Sequence, residues 1–254
     1  MAQASHRYKL SVIADVSHQR RISKVKRMKK NLLVVGASRG IGAEVAKYFA
    51  DSGYKIFGVS RSPSEECEWI KADISTVEGI EKIATEIVQT QIDALIYSSG
   101  AWEEKGFMEE FDFRETTDNE TRHIMAVNLV APIEITKRIA KNLSLSDNPR
   151  AIYLGALSGI EQSASSQVAY SASKFGLRGA IQSLRLALKS EKIGFTCINP
   201  GNVATEEVMQ DIEAGRFPAQ TPIPISDIIS TIEFVLSTSS CVEVGDINLS
   251  QKDG

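Results

Sequence analysis

The sequence predicts an α/β fold: one doubly wound parallel sheet of about seven strands, with helices on both faces. Three observations point there. Short apolar runs alternate with helix-like stretches from residue 31 onward. The first run, Leu32 to Val35, is apolar throughout, as in a strand buried on both faces. A turn holding Gly36, Gly40 and Gly42 then leads straight into a helical stripe of Ile41, Val45 and Phe49.

The remaining elements follow in order. Residues 54–59 (YKIFGV) and 68–72 (EWIKA) read as the second and third strands. Ile80, Ile83, Ile87 and Val88 mark a helix, and residues 92–97 (IDALIY) a fourth strand. Residues 117–142 read as a long helix with Ile124, Val127 and Ile135 on one side; Pro132 within it is expected to bend the axis or cost a hydrogen bond. A fifth strand at 151–155 (AIYLG) precedes a helix over 167–190, and a sixth lies at 194–199 (GFTCIN). A helix over 226–237, opened by a Ser226 cap, and a last strand at 244–250 complete the pattern. No internal repeat or low-complexity tract interrupts it, so residues 31–254 are expected to form a single domain.

A chain of 254 residues, 43% hydrophobic and 24% charged, suits one large domain with a substantial core. Its longest apolar runs fall far short of the roughly 20 residues that span a bilayer, so no membrane span is expected. Cys67, Cys197 and Cys241 show no C-x-x-C pairing. Cys67 and Cys197 sit in strand-like runs and are expected to be buried, reduced thiols, which suits a cytoplasmic setting. His6, His18 and His123 form no metal-spaced cluster, and no metal site is expected.

Charge is unevenly spread. Residues 1–30 carry nine Lys or Arg and one Asp, whereas the remainder carries 20 basic and 31 acidic residues. The acidic body argues against broad nucleic-acid or membrane binding. The basic segment reads in three ways: an upstream extension of the coding frame ahead of Met28, an organelle-targeting peptide, or a basic arm for an anionic surface. The first is preferred, organelle targeting stays open, and the segment is expected to be poorly ordered on its own.

Two motifs carry chemistry. The strand–Gly turn–helix unit presents helix N-terminal N–H groups to an anion, and its glycines let backbone approach a phosphate closely; an ordinary tight turn is the alternative. Tyr170 and Lys174, in the stretch YSASK, are four apart on a helix and share one face. A phenol beside an ammonium is a proton-transfer pair, the cation being expected to lower the tyrosine pKa toward working pH.

With these residues in view, the chain resembles the short-chain dehydrogenase/reductase family over about residues 31–250, which implies a Rossmann-like fold. The family's T-G-x-x-x-G-x-G motif is met at Gly36, Gly40 and Gly42, with Val35 where Thr is usual, and its Y-x-x-x-K at Tyr170 and Lys174. Its P-G loop appears as NPGNVAT, with Pro200, Gly201 and Thr205, and its acidic residue near the adenine as Asp73. Its helix asparagine, which holds a water linking the lysine to solvent, corresponds to Asn128. The resemblance implies a nicotinamide cofactor held by Gly36, Ser38, Arg39, Gly40, Ile41, Gly42, Ser60, Arg61, Asp73, Ile74, Ser99, Gly100, Tyr170, Lys174, Pro200, Gly201, Val203 and Thr205. It also implies Tyr170 as general acid/base, with Lys174 lowering its pKa and binding the ribose.

Two places depart from the family pattern. The N-N-A-G motif of the fourth strand reads Tyr97-Ser98-Ser99-Gly100. The serine expected at the end of the fifth strand aligns with Ala156, while Ser158 stands two residues later. Ser158 offers its hydroxyl from a shifted place if the loop is remodelled, residues two apart in an extended segment pointing the same way. Otherwise another donor substitutes, or an oxyanion donor is lost at a cost of about 2.7–4 kcal/mol.

The end of the second strand reads Ser60-Arg61, with no carboxylate for the 2′-hydroxyl of NAD. Arg39 and Arg61 together suit a 2′-phosphate, which predicts NADPH/NADP+. The expected activity is NADPH-dependent reduction of a carbonyl on a small-molecule substrate. The alternatives are a catalytically impaired NADP-binding sensor or scaffold, suggested by Ala156 and Ser98, and a nucleic-acid-associated protein acting through the basic segment, which the acidic body disfavours.

The substrate wall is expected from residues 157–169 and 206–224, with Met209, Ile212 and Phe217 as an apolar lid and Arg216 available to an anion. The loop at 99–113 is expected to bring Trp102 and Phe107 to the nicotinamide end, its acids disfavouring an anionic substrate. The family resemblance implies a homodimer or homotetramer through the helices at 117–142 and 167–190.

Overall fold

The structure is a computed structural model that describes residues 29–252 apart from 107, 109, 218 and 219. The readings made for residues 1–28 and for Phe107 lie outside the described residues.

The predicted α/β architecture is present. Strands β1 (Asn31–Val35), β2 (Lys55–Ser60), β3 (Glu68–Lys71), β4 (Ala94–Tyr97), β5 (Arg150–Leu154), β6 (Gly194–Pro200) and β7 (Asp246–Leu249) form one sheet in the order β3-β2-β1-β4-β5-β6-β7. Every pairing is parallel, with Leu33 opposite Phe57 on one side and Leu95 on the other. Helices α1 (Gly40–Asp51), α2 (Val77–Glu86), α3 (Asp118–Met125), α4 (Ala131–Leu143), α5 (Val168–Ala187), α6 (Glu206–Glu213) and α7 (Ile225–Ser237) connect the strands.

The alternation of strand side chains separates two cores. Leu33 and Val35 pack with Ile80, Ile135 and Leu177 from α2, α4 and α5. Leu32 and Val34 face the other way, onto Val45 and Phe49 of α1 and Ile228 and Ile232 of α7. All seven of these helical side chains and the four β1 residues are buried, which explains why β1 reads as an unbroken apolar run. The chain winds outward from β1 to β3, then returns to β4 on the other side of β1. That reversal opens a crevice at the carboxyl ends of β1 and β4, where ligands bind in sheets of this kind.

Several local expectations are corrected. The helix expected over 117–142 is α3 and α4 joined by a π-helical turn, Ala126–Val130, in which the Ala131 N–H reaches back to the Ala126 carbonyl. Pro132 lacks the N–H that α-helical spacing would hand to the Asn128 carbonyl, so a widened turn loses nothing there. The Thr136 hydroxyl donates to the Pro132 carbonyl at 2.6 Å. Helix α7 is not opened by Ser226: Pro224 occupies the cap, its ring pre-setting φ at −58°, and Ser226 falls inside the first turn. Cys67 lies just ahead of β3 and is half-buried rather than buried, while Cys197 is buried and Cys241 exposed.

Arg150 opens β5 and is 2% exposed. Its guanidinium donates to the carbonyls of Thr238, Ser239 and Val242 and to the Thr238 hydroxyl, tying the loop after α7 to the sheet. Removing it leaves four partly buried acceptors without this donor. Arg150→Met is therefore expected to lower the unfolding free energy by about 2–3 kcal/mol, measured by urea denaturation.

Candidate active site

Two clefts open at the carboxyl ends of the strands. The first, a cavity of about 320 Å3, lies over the switch point. The second, of about 1010 Å3, lies beside β6 and β7. They meet at Ala156, Tyr170, Pro200, Gly201 and Asn202, which line both.

The Gly turn forms the floor of the first cleft. Gly36 and Gly40 have φ of +94° and +55°, the left-handed region that favours glycine, and a Cβ on Gly36 would lie 2.7 Å from the Ser99 Oγ. Helix α1 has no side-chain cap and no acidic residue in its first turn, so its leading N–H groups are left to an anion. Those two features fit the phosphates of a dinucleotide. Gly36, Ser38, Arg39, Gly40 and Ile41 all line this cleft; Gly42 does not. Gly42 is a packing residue, its missing Cβ making room for the Gly36 carbonyl and the Ser98 Oγ.

Ser60, Arg61, Asp73 and Ile74 line the far end of the first cleft. The Ser60 hydroxyl is already engaged, donating to the Ser62 carbonyl at 2.7 Å and accepting from the Trp69 indole at 3.1 Å. Burial pushes the Asp73 carboxyl up, but hydrogen bonds from the Ser75 hydroxyl and backbone, with the charges of Arg61 and His123, hold it below its ordinary value. Arg39, 71% exposed, forms an ion pair with Glu207 at 2.6 Å across the cleft mouth. Glu207 was not anticipated from the sequence; only the position of α6 reveals it.

The end of β4 adds Ser99 and Gly100. Ser98, where the family has asparagine, donates to the Val35 carbonyl at 2.8 Å and ties β4 to β1. Pro200, Gly201, Val203 and Thr205 close the cleft from β6. The Thr205 hydroxyl accepts from the Val208 N–H as the cap of α6, a task beyond the cofactor contact expected of it.

Tyr170 and Lys174 stand one turn apart on α5, where the two clefts meet. The Lys174 ammonium lies 5.6 Å from the Tyr170 ring centroid and donates to the Leu154 carbonyl at 2.9 Å. Burial brings its pKa down to about 8. The expected lowering of the tyrosine pKa is absent. Burial instead pushes the phenol up to about 12, with a smaller upward push from Glu103, and only a hydrogen bond with Ser158 works the other way. Desolvation of the phenol outweighs every charge near it.

Ser158 lies in a 3-10 turn, Leu157–Gly159, rather than in an extended segment, so the two-apart geometry does not apply. Ser158 nevertheless lines the second cleft together with Tyr170 and, as a hydrogen-bonding neighbour, works against the upward push on the phenol. A Cβ on Gly159 would lie 2.8 Å from that of Lys174, so glycine lets the turn sit directly on α5. Ala156 offers no polar group.

Asn128 is 1% exposed and lines neither cleft. Its Nδ2 donates to the Ala101 carbonyl (2.7 Å) and the Ser173 hydroxyl (2.9 Å), and its Oδ1 accepts from the Ala101 N–H (2.8 Å). The amide hydrogens are thus used up, and on the side chain the second lone pair of Oδ1 remains for the expected water.

The expected substrate-wall segments do line the clefts, but the lid differs. Phe217 is buried and lines the first cleft, Met209 is exposed, and Arg216 bonds Asp211, which satisfies its charge locally. Trp102 lines the first cleft as expected. The second cleft is walled by the expected segments, at Leu157, Ser158, Ser165, Gln167 and 220–224, by Asn202 of the NPGNVAT loop, and by residues 248–252, which no sequence motif had marked. Among the described residues, no group of His, Cys, Asp or Glu could hold a metal ion.

Residues 30–215 match the family model described as short chain dehydrogenase. The chain is 24% identical over 228 residues to a 3-oxoacyl-[acyl-carrier-protein] reductase of Mycobacterium avium, covering 86% of this chain and 87% of that protein. Its fold is similar to that of ElxO with NADP bound, with TM-score 0.75 at 19% identity, covering 88% of this chain and 98% of the other. It is likewise similar to 4-hydroxyisoleucine dehydrogenase complexed with NADH, with TM-score 0.73 at 23% identity, covering 89% and 100%.

NMR of isotope-labelled lysine side chains is expected to show one residue, absent in Lys174→Met, titrating near pH 8 instead of the ordinary 10.5. Between those values the unfolded chain binds the extra proton, so the penalty from this lysine is full below about 8 and disappears as pH rises to 10.5. A midpoint near the ordinary value would contradict the burial argument.

Proposed function

The chain belongs to the short-chain dehydrogenase family, and on that premise we propose that it is an NADPH-dependent oxidoreductase that reversibly reduces a carbonyl to an alcohol. The observation that carries this reading is the convergence of the Tyr170 phenol, the Ser158 hydroxyl and the Lys174 ammonium at the junction of the two clefts.

The cofactor would be held by the turn at Gly36–Ile41, with its phosphates toward the open N-terminus of α1 and its adenosine toward Asp73 and Ile74. When bound, it supplies the hydride. Two arginines stand where the ribose 2′ position is read, and the end of β2 carries no carboxylate, which supports NADPH over NADH. Arg39 would exchange Glu207 for the 2′-phosphate, a change from one anion to another at an exposed site.

Tyr170 gives its phenolic proton to the carbonyl oxygen, and in the reverse direction accepts it from the alcohol. A phenol held protonated by burial is prepared to donate. Ser158 lies beside it to hold the same oxygen, in place of the serine missing at 156. Lys174, on the wall of the first cleft, would hold the cofactor's ribose, and Asn128 fixes the Ala101 peptide at the cleft wall. The Ser158–Tyr170 contact is the reason to prefer an enzyme to a cofactor-binding sensor or scaffold.

The second cleft favours a neutral, polar carbonyl compound. Its walls carry the amides of Asn202, Gln220 and Gln251 and the hydroxyls of Ser158 and Ser250. The hydrogen bonds from Asn202 and Gln251 to the Gln220 Oε1 join these amides into one network. We further expect a homodimer or homotetramer acting in the cytoplasm.

The test is NADPH oxidation against a panel of hydroxyketones, β-ketoesters and aldehydes. Tyr170→Phe is expected to lose roughly 10²–10⁴-fold in kcat; wild-type turnover would defeat the mechanism. NADPH is expected to exceed NADH in kcat/KM by about tenfold to a hundredfold, and Arg39→Ala with Arg61→Ala to erase most of that margin. Unchanged discrimination in the double variant would refute the cofactor assignment.

A further inference from the structure

Glu103, in the loop after β4, is completely buried, at 0% exposure. A carboxylate is almost never so deep without a partner. Its Oε1 accepts the backbone N–H groups of Ala169 (2.8 Å) and Tyr170 (3.3 Å), at the very start of α5. Gln167, at the cap position, gives that helix no side-chain bond, so Glu103 does the capping from a distant part of the sequence. A negative charge there also suits the helix dipole.

The second oxygen is unusual. Glu103 Oε2 is buried without a hydrogen-bond partner among the described residues, and so is the Oε1 of Gln167, which is 4% exposed. Gln167 is fixed by donating its Nε2 to the Gly106 carbonyl at 3.1 Å. An apolar side chain would fill this space without that cost. The loop bearing Glu103 is anchored two residues earlier, where Asn128 grips both polar groups of the Ala101 backbone. A continuous set of contacts therefore runs from the π-helical turn through Ala101 and Glu103 to the backbone of Tyr170.

We propose that Glu103 is a positioning residue for Tyr170, holding the first turn of α5 through its carboxylate and setting the electrostatic balance around the phenol. The inference rests on Tyr170 being the acid/base of the preceding section. Of the charged or titratable groups nearby, Lys174 is on the same helix, His123 of α3 lines the same cleft, and Cys197 of β6 lies toward Lys174. The turn at 157–159 and the π-helical turn carry none. Glu103 is the anion that opposes ionisation of the phenol, second to burial itself.

Two variants separate the roles. Glu103→Gln keeps a carbonyl oxygen to accept the two N–H groups but removes the charge; Glu103→Ala removes both. With isotope-labelled tyrosine followed by NMR, and Tyr170→Phe used for assignment, the Tyr170 phenol in Glu103→Gln is expected to titrate about half a unit to one unit lower than in the parent. Hydrogen exchange at Ala169 and Tyr170 is expected to quicken about tenfold or more in Glu103→Ala, and to stay within about threefold in Glu103→Gln. An unmoved phenol midpoint in Glu103→Gln overturns the proposal, and so does unchanged exchange in Glu103→Ala. If Glu103→Ala does not fold, the phenol midpoint in Glu103→Gln decides alone. Neither readout needs turnover, so an active Tyr170→Phe enzyme is recognised separately, as failure of the acid/base role and of this inference with it.

Discussion

The first turn of α1 crosses the end of β1 so closely that a Cβ on Gly42 would collide with the Gly36 carbonyl. That crossing sets the direction of the helix, and with it the aim of the free N–H groups at its start. The neighbouring strand end is fixed to the same spot, because the Ser98 hydroxyl bonds the Val35 carbonyl. The crevice at the switch point is the space left between these two constraints. Replacing asparagine by serine at 98 keeps the tie because the acceptor is a backbone carbonyl within reach of a short side chain.

Helix α5 is placed with the same economy. Gly159 lets the 3-10 turn rest on Lys174, the Lys174 ammonium reaches the Leu154 carbonyl at the end of β5, and Asn128 bonds Ser173 on the adjacent turn. Each contact comes from a different element, so the phenol and the ammonium cannot shift without disturbing the sheet. The π-helical turn matters here because it carries Asn128 to face Ala101 and Ser173 together. The same enclosure removes water from the phenol, which is why its ionisation is governed first by burial and only then by its neighbours.

What could be read from the sequence was what depends on local pattern. The apolar runs located the strands because a parallel strand is buried on both faces, and the Gly turn located the crevice because few other turns need three glycines. Gly42 was assigned to the cleft through its motif, although only three-dimensional packing separates a glycine facing a ligand from one facing backbone. The neighbours of Tyr170 were not legible either. Glu103 lies 67 residues from its partner in the chain, and nothing in the stretch WEEKGF distinguishes a buried acid from the solvated ones beside it. Ser158 defied the two-apart rule because a 3-10 turn does not keep strand alternation. Segment 248–252 carries no motif, and its place on the second cleft comes from β7 pairing with β6.

The chain has two tryptophans; one lines the first cleft and the other bonds a residue that does. The Trp69 indole donates to Ser60 at the outer end, and Trp102 lines the wall beyond β4. Indole fluorescence depends on the polarity around the ring and on any absorbing molecule close by. The protein is thus fitted with two intrinsic optical gauges, one in the cleft wall and one behind Ser60, and replacing either tryptophan leaves a single-channel reporter. Light emission then distinguishes events beside Trp102 from those beside Ser60.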